Sequence, residues 1–183
     1  MIITDIKPGI GKVPAIALVN PKYPHNVGAA TRAASCYGAK QVWWTGNRVF
    51  AEAEKGHRLP REERMKGYNS VDLIHGDYFF DAFDSDVVPI AIELRENAEP
   101  LTTFEHPEKA LYVFGPEDGS LGKPHVNHCH RFVVIPSYHC LNLAAAVYTV
   151  LYDRMTKLGP VPTLAEDRGF IEPDDMCEVL QWR

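Results

Sequence analysis

Residues 15–44, AIALVNPKYPHNVGAATRAASCYGAKQVWW, decide the fold. The apolar run 15–19 is closed by Asn20-Pro21, and 41–44 is a second such run. Between them Val27, Ala30, Ala34 and Tyr37 fall at i, i+3, i+7 and i+10 on one helical face, and Gly38 supplies a C-terminal stop. Asn26, just before that periodic stretch, is the expected helix cap. Strand, helix, strand in this order predicts a βαβ unit and parallel pairing.

Working outward, short runs at 87–92, 111–114 and 132–135 are β-branched or aromatic and bounded by Pro, Gly or Asp. Continuous apolar runs suit strands covered on both faces. The segment 141–158 is helical in period, with Leu141, Ala144, Tyr148, Leu151, Met155 and Leu158 on one stripe and Leu143, Val147 and Val150 beside it. The expected fold is therefore α/β, a mostly parallel sheet flanked by helices. Residues 1–158 read as one domain. Pro160 and Pro162 break the last helix, and 159–183 reads as an acidic tail with one short helix at 173–181.

The 183 residues are enough for one substantial core, and 45% hydrophobic against 23% charged is a globular composition. No run approaches the length of a membrane-spanning helix, and the first residues lack the apolar centre of a signal peptide, so a cytoplasmic protein is expected. Cys36, Cys129, Cys140 and Cys177 form no CxxC pair, which predicts reduced thiols. His125, His128, Cys129 and His130 are rich in ligand types, but no second pair with finger-like spacing accompanies them, and no metal is expected. Trp43 and Trp44 are expected in the core rather than on a base. Net charge is −5, and the tail beyond residue 158 holds six acids against two arginines, leaving the body nearly neutral. A general positive field for nucleic acid is absent.

Three segments place polar or glycine residues where parallel strands end, the position at which open α/β sheets bind ligands. The first runs from Asn26 through Gly28 to Arg32, a side chain suited to bidentate contact with phosphate or carboxylate. The second is Phe114-Gly115-Pro116-Glu117-Asp118-Gly119, a strand entering a glycine-rich loop whose amides suit an adenosine or a carboxylate. The third is Ile135-Pro136-Ser137-Tyr138-His139-Cys140-Leu141-Asn142, followed by Leu143 and the alanines 144–146, whose small side chains permit close backbone approach. Each alone also reads as an ordinary cap, turn or helix start.

Together, in this order, they resemble the motifs of the SpoU family of ribose 2'-O-methyltransferases within the SPOUT superfamily. The pattern Asn-x-Gly, three residues, Arg matches Asn26, Gly28 and Arg32; Phe-Gly-x-Glu matches Phe114, Gly115 and Glu117; Ile-Pro leading to Leu-Asn matches Ile135, Pro136, Leu141 and Asn142. The resemblance covers residues 15–155. It implies a C-terminal trefoil knot, S-adenosylmethionine as methyl donor, RNA as substrate, with tRNA first and rRNA second, and a homodimer built on the first and last helices. It also implies a cofactor site of Phe114, Gly115, Pro116, Gly119, Ile135, Pro136, Cys140, Leu141 and Ala145, and a catalytic set of Arg32, Asn26, Glu117 and Asn142. In that set Arg32 meets the target hydroxyl, and Asn26 and Glu117 orient Arg32 or the ribose. The resemblance has Arg32 contact the hydroxyl and its phosphate and assist deprotonation, either as the base or, since a guanidinium normally stays protonated, electrostatically by lowering the hydroxyl pKa. Cys140 stands where many family members carry serine.

With no added RNA-binding domain expected, the RNA would be met by the mixed-charge run 48–66, through Arg48, Arg58, Arg61 and Arg64. Two other readings predict different things. A non-catalytic RNA-binding relative would have lost cofactor binding. A nucleotide-binding metabolic enzyme would carry GxGxxG after its first strand, which this chain lacks.

Overall fold

A computed structural model describes residues 2–3, 9–56 and 71–159. Its strands are β1 (Ile2–Ile3), β2 (Ala15–Leu18), β3 (Gln41–Trp44), β4 (Asp72–His75), β5 (Val88–Ile92), β6 (Glu99–Pro100), β7 (Ala110–Phe114) and β8 (Arg131–Val134). The helices are α1 (Pro24–Tyr37), α2 (Arg48–Glu54), α3 (Lys123–Val126) and α4 (Leu143–Leu158). The strands form one sheet in the order β1-β4-β3-β2-β7-β5-β8-β6, and every neighbouring pair is parallel. All strand C-termini therefore lie along one edge. The order reverses between β2 and β7, so the loops that follow these two strands emerge side by side.

The five strands expected from apolar runs are all present. β1, β4 and β6 were not anticipated; two of them are two-residue edge strands, and in β4 the sequence DLIH offers only two apolar residues. The period of two sorts the core. Ile16, Leu18, Val42, Trp44, Tyr112 and Phe114 pack on the α1 and α4 side, while Ala15, Ala17, Trp43, Leu111 and Val113 pack on the opposite face with Phe79. Both tryptophans are core residues, as expected.

Helix α1 starts earlier than its apolar period suggests. Pro24 opens it, with its missing N–H harmless in the first turn, and Gly38 closes it in the left-handed conformation at φ 82°. Asn26 is thus inside the first turn rather than capping it, and the capping position falls to Tyr23, whose side chain makes no cap bond. Helix α4 begins at Asn142, whose side-chain oxygen accepts from the amides of Ala144 (2.9 Å) and Ala145 (3.3 Å).

The buried face of α4 runs through Leu143, Ala144, Val147, Val150, Leu151 and Arg154. Ala144 and Leu151 of the expected stripe, and Leu143, Val147 and Val150 beside it, are buried, whereas its other members are not. Leu141 precedes the helix, Leu158 is exposed at its last position, and Tyr148 and Met155 are only half-buried, so the face turns toward Leu143, Val147 and Val150 and includes the buried Arg154. Arg154 donates to the carbonyls of Pro107 (2.7 Å) and Glu108 (2.8 Å), tying α4 to the loop before β7. Nearby, buried His106 sits 2.6 Å from the Tyr112 hydroxyl and 2.8 Å from the Asp153 carboxylate. The 159–183 tail, except its first residue, lies outside the described residues. No described helix is long and apolar enough to cross a membrane.

Candidate active site

The reversal of strand order brings the three sequence segments together. Glu117, on the loop after β7, is the hub. One carboxylate oxygen accepts from the Lys22 amide (2.7 Å) and the other from the Tyr23 amide (3.3 Å) and the Asn26 side chain (2.7 Å). The carboxylate thereby meets amides that precede a helix whose own capping residue offers no side-chain acceptor. A negative charge is also favourable at the positive end of the helix dipole. Asn26 is 2% exposed, and its remaining oxygen accepts from the Asn142 side chain at 3.1 Å. Asn142 in turn caps α4. A chain of bonds thus runs from the α1 entrance through Glu117, Asn26 and Asn142 to the start of α4.

Beside this chain lies a cleft of 180 Å³. Of the expected cofactor residues, Phe114, Gly115, Pro116, Gly119, Ile135, Cys140 and Leu141 line it, as does Glu117. Pro136 and Ala145 are not on its wall; Ala145 is exposed on α4 and its amide is engaged by Asn142. Sequence reading missed Ile92, Glu93 and Leu94, which follow β5 and also line the cleft. Only their position after an apolar run hinted at this. Glu93 is built into the wall, accepting from the Leu121 amide at 2.9 Å. Gly115 is a tight point: a Cβ there would lie 3.2 Å from the Leu121 nitrogen. Apolar side chains of Ile92, Leu94 and Leu141, backbone of two loops and a carboxylate fit an adenosine bearing a charged tail.

Arg32 stands apart. It is exposed on α1, has no hydrogen bond or ion pair to another described residue, and does not line the cleft. Asn26 bonds Glu117 and Asn142, and neither Asn26 nor Glu117 is bonded to Arg32 within the chain. Arg32 belongs to the side of α1 that meets α4: its charge acts on Tyr148, and Tyr37 packs edge-on against Tyr148 and Tyr152. Arg48 is committed as well. Its guanidinium donates to both oxygens of Asp118 (2.9 and 2.6 Å) and to the Asn20 carbonyl (3.3 Å). The bond from Asp118 raises the arginine pKa, and its converse lowers that of Asp118. Arg48 is therefore a tie between α2 and the site loop rather than a free phosphate ligand. Arg58, Arg61 and Arg64 lie outside the described residues. Among those described, no three His, Cys, Asp or Glu residues group as a metal site.

Comparison with known proteins gives this geometry a family. A model of the SpoU rRNA Methylase family matches residues 14–152. The chain belongs to the SpoU methylase family. It is 30% identical over 157 residues to the tRNA (cytidine-2'-O-)-methyltransferase TrmJ of Methanocaldococcus jannaschii, covering 78% of this chain and 67% of that one. Among solved structures, the TrmH/SpoU tRNA modifying enzyme of A. aeolicus superposes with a TM-score of 0.65 at 17% identity, covering 81% of this chain and 77% of that one. An rRNA methyltransferase of Sinorhizobium meliloti gives 0.61 at 19% identity and covers 85% of this chain. The chain spans 62% of that enzyme's length, and the same enzyme has also been solved with AdoMet bound. The fold is thus shared with these enzymes.

Proposed function

We propose that this SpoU methylase transfers a methyl group from S-adenosylmethionine to a ribose 2'-hydroxyl of tRNA. The observation that carries the reading is the bonded chain Glu117–Asn26–Asn142, which joins all three family segments at the edge of one cleft. The 30% identity to a tRNA 2'-O-methyltransferase supports tRNA over rRNA. A knot threaded through the loops after β7 and β8, and a cytoplasmic site of action, go with this reading.

Held by the cleft residues Gly115, Ile135 and Leu141, S-adenosylmethionine would supply an electrophilic methyl to the ribose oxygen, with S-adenosylhomocysteine as leaving group and the hydroxyl proton passing to solvent. The chain's part is to hold and align. The loops after β5, β7 and β8 wall the cleft, and alignment of two reactants lowers a barrier by about 7–11 kcal/mol in favourable cases. Arg32 supplies positive charge to the hydroxyl and its neighbouring phosphate. Because Arg32 does not line the cleft of its own chain, the reading includes a homodimer in which α1 and α4 meet a second copy and Arg32 serves the neighbouring cleft. Exposed Tyr152 and Leu158 on α4 suit that packing.

The test is calorimetric binding of S-adenosylmethionine, with methyl transfer from labelled donor to tRNA and rRNA, wild type beside Arg32→Ala. Binding together with tRNA labelling that Arg32→Ala abolishes is expected. Absence of binding overturns the assignment.

A further inference from the structure

The carboxyl edge of the sheet holds a second cleft. The loops after β2, β3 and β4, with α3 and the loop after it, line an open cleft of 420 Å³, more than the first and within the range of small-ligand sites. Its floor is built. The Asn20 amide donates to Thr45 Oγ1 (2.9 Å), the Gly46 amide donates to the Asp77 carboxylate (3.0 Å), and the His75 ring nitrogen lies 2.8 Å from the Gly46 carbonyl. Gly46 has φ +71°, and a Cβ there would sit 2.4 Å from Asn20 Oδ1, so the loops close on one another only through glycine.

Its lining is aromatic and acidic. Phe80 stacks on His128 at 4.8 Å and 24°, and His125 lies nearly parallel to buried Phe79 at 5.9 Å and 18°. Tyr78 also lines the cleft, is 80% exposed, and makes no ring contact with a described residue. Asp81 lines it without a hydrogen bond or ion pair to any other described residue. Among the described residues no lysine or arginine lines it, so the described lining offers a phosphate only the imidazoles of His125 and His128. A planar ring with N–H donors on its edge is the better occupant, since single-stranded RNA bases are recognised by stacking on aromatic faces and by hydrogen bonds to their edges. Among the bases, guanine presents adjacent imino and amino donors that one carboxylate can accept together.

The two clefts are also linked. Arg48 bonds the Asn20 carbonyl on one side and Asp118 on the other, and Lys22 Nζ lies 3.9 Å from Asp118. Asp118 thus takes both cations, and Arg48 ties the loop of the second cleft to the loop of the first. We infer that the second cleft holds an unstacked guanine of the RNA, seated against the ring wall with its donor edge on Asp81, and so selects which RNA is methylated. This rests on the RNA-methylation reading for its meaning but not for its test.

Guanosine, adenosine, cytidine and uridine 5'-monophosphates and inorganic phosphate are titrated separately into wild type, Asp81→Asn and Tyr78→Ala. The histidine ring signals are followed by NMR, and S-adenosylmethionine binding is measured in parallel by calorimetry. The guanine nucleotide is expected to shift the His125 and His128 signals selectively, to bind about tenfold more weakly to Asp81→Asn, and to weaken again in Tyr78→Ala. Both exposed substitutions should leave S-adenosylmethionine binding unchanged. Equal responses to all four nucleotides, responses reproduced by phosphate, no response at all, or indifference to Asp81→Asn each overturn the inference. Guanine selectivity without S-adenosylmethionine binding would instead overturn the transferase reading and leave the second cleft standing.

Discussion

Replacing Asn26 by alanine removes two interactions from a buried position: the donation to Glu117 at 2.7 Å and the acceptance from Asn142 at 3.1 Å. A hydrogen bond to a charged group is worth about 1.5–3 kcal/mol and a neutral one about 0.5–1.5 kcal/mol. The expected loss is about 2–4 kcal/mol, or roughly 5–15 °C in Tm for a chain of this size. Asn26→Asp separates this account from simple cavity formation. It sets a second carboxylate where an amide now donates to Glu117, and like charges about 4 Å apart repel by about 4 kcal/mol at an effective dielectric near 20.

Asn26→Asp is therefore less stable than Asn26→Ala at pH 7, although it is nearly isosteric with the native residue. The pH dependence has a definite sign. Repulsion raises one carboxyl pKa in the folded state, so the folded form binds a proton that the unfolded form does not, and stability returns as pH falls. Thermal and urea unfolding of both variants between pH 7 and pH 5 is the assay. Equal stability of the two at pH 7, or an Asn26→Asp variant that gains nothing on acidification relative to Asn26→Ala, refutes the bonded chain as described.

Three further outcomes are expected. Burial, opposed by Asp153, lowers the His106 pKa. Stability is then full above the ordinary imidazole value and is lost as pH falls below it; His106→Gln should flatten part of that decline in unfolding measured from pH 8 to pH 5. Gly115→Ala places a Cβ 3.2 Å from the Leu121 nitrogen, and overpacking of this kind costs about 1–3 kcal/mol. Calorimetry should show it as weakened S-adenosylmethionine affinity rather than as lost folding. Among the thiols, Cys140 is exposed on the cleft wall, whereas Cys129 is buried with its pKa pushed up to about 12. Alkylation followed by mass spectrometry should modify Cys140, spare Cys129, and be slowed at Cys140 by S-adenosylmethionine; equal modification of Cys140 with and without it would count against the cleft.

The five longer-run strands were legible in the sequence because buried parallel strands advertise themselves as unbroken apolar runs, whereas β1, β4 and β6 were not, and the αL glycine at 38 marked the end of α1. The start of α1 was not. Pro24 and His25 carry no apolar period, so the helix appeared to begin at Val27 and Asn26 appeared to cap it. The stripe on α4 was misplaced for a related reason: with apolar residues almost all round, only the three-dimensional partners of Arg154, the carbonyls of Pro107 and Glu108, reveal which side is inward. Asn26, Glu117 and Asn142 were each legible as polar residues at strand ends. Their bonds were not, since they join positions 91 and 116 residues apart, and no local period encodes them. His125 and His128 looked like metal-ligand types, and only the fold shows them beside Phe79 and Phe80.

The site divides its labour in a way that follows from where the sheet reverses. Loops after β2 and β7 are forced together there, and an uncapped helix entrance beside a glycine-rich loop leaves backbone donors in need of an acceptor. Glu117 meets that need, and Asn26 relays the connection to the helix that follows β8. These residues are therefore part of what holds the fold, so their removal weakens both stability and cleft geometry. Active-site residues more often gain function at a cost in stability. Arg32 is the converse: with no described partner, its loss should leave stability within about 0.5 kcal/mol of wild type, the usual range for surface positions. A loss of transfer on replacing it then reports chemistry or assembly directly, whereas a loss on replacing Asn26 must first be corrected for unfolding.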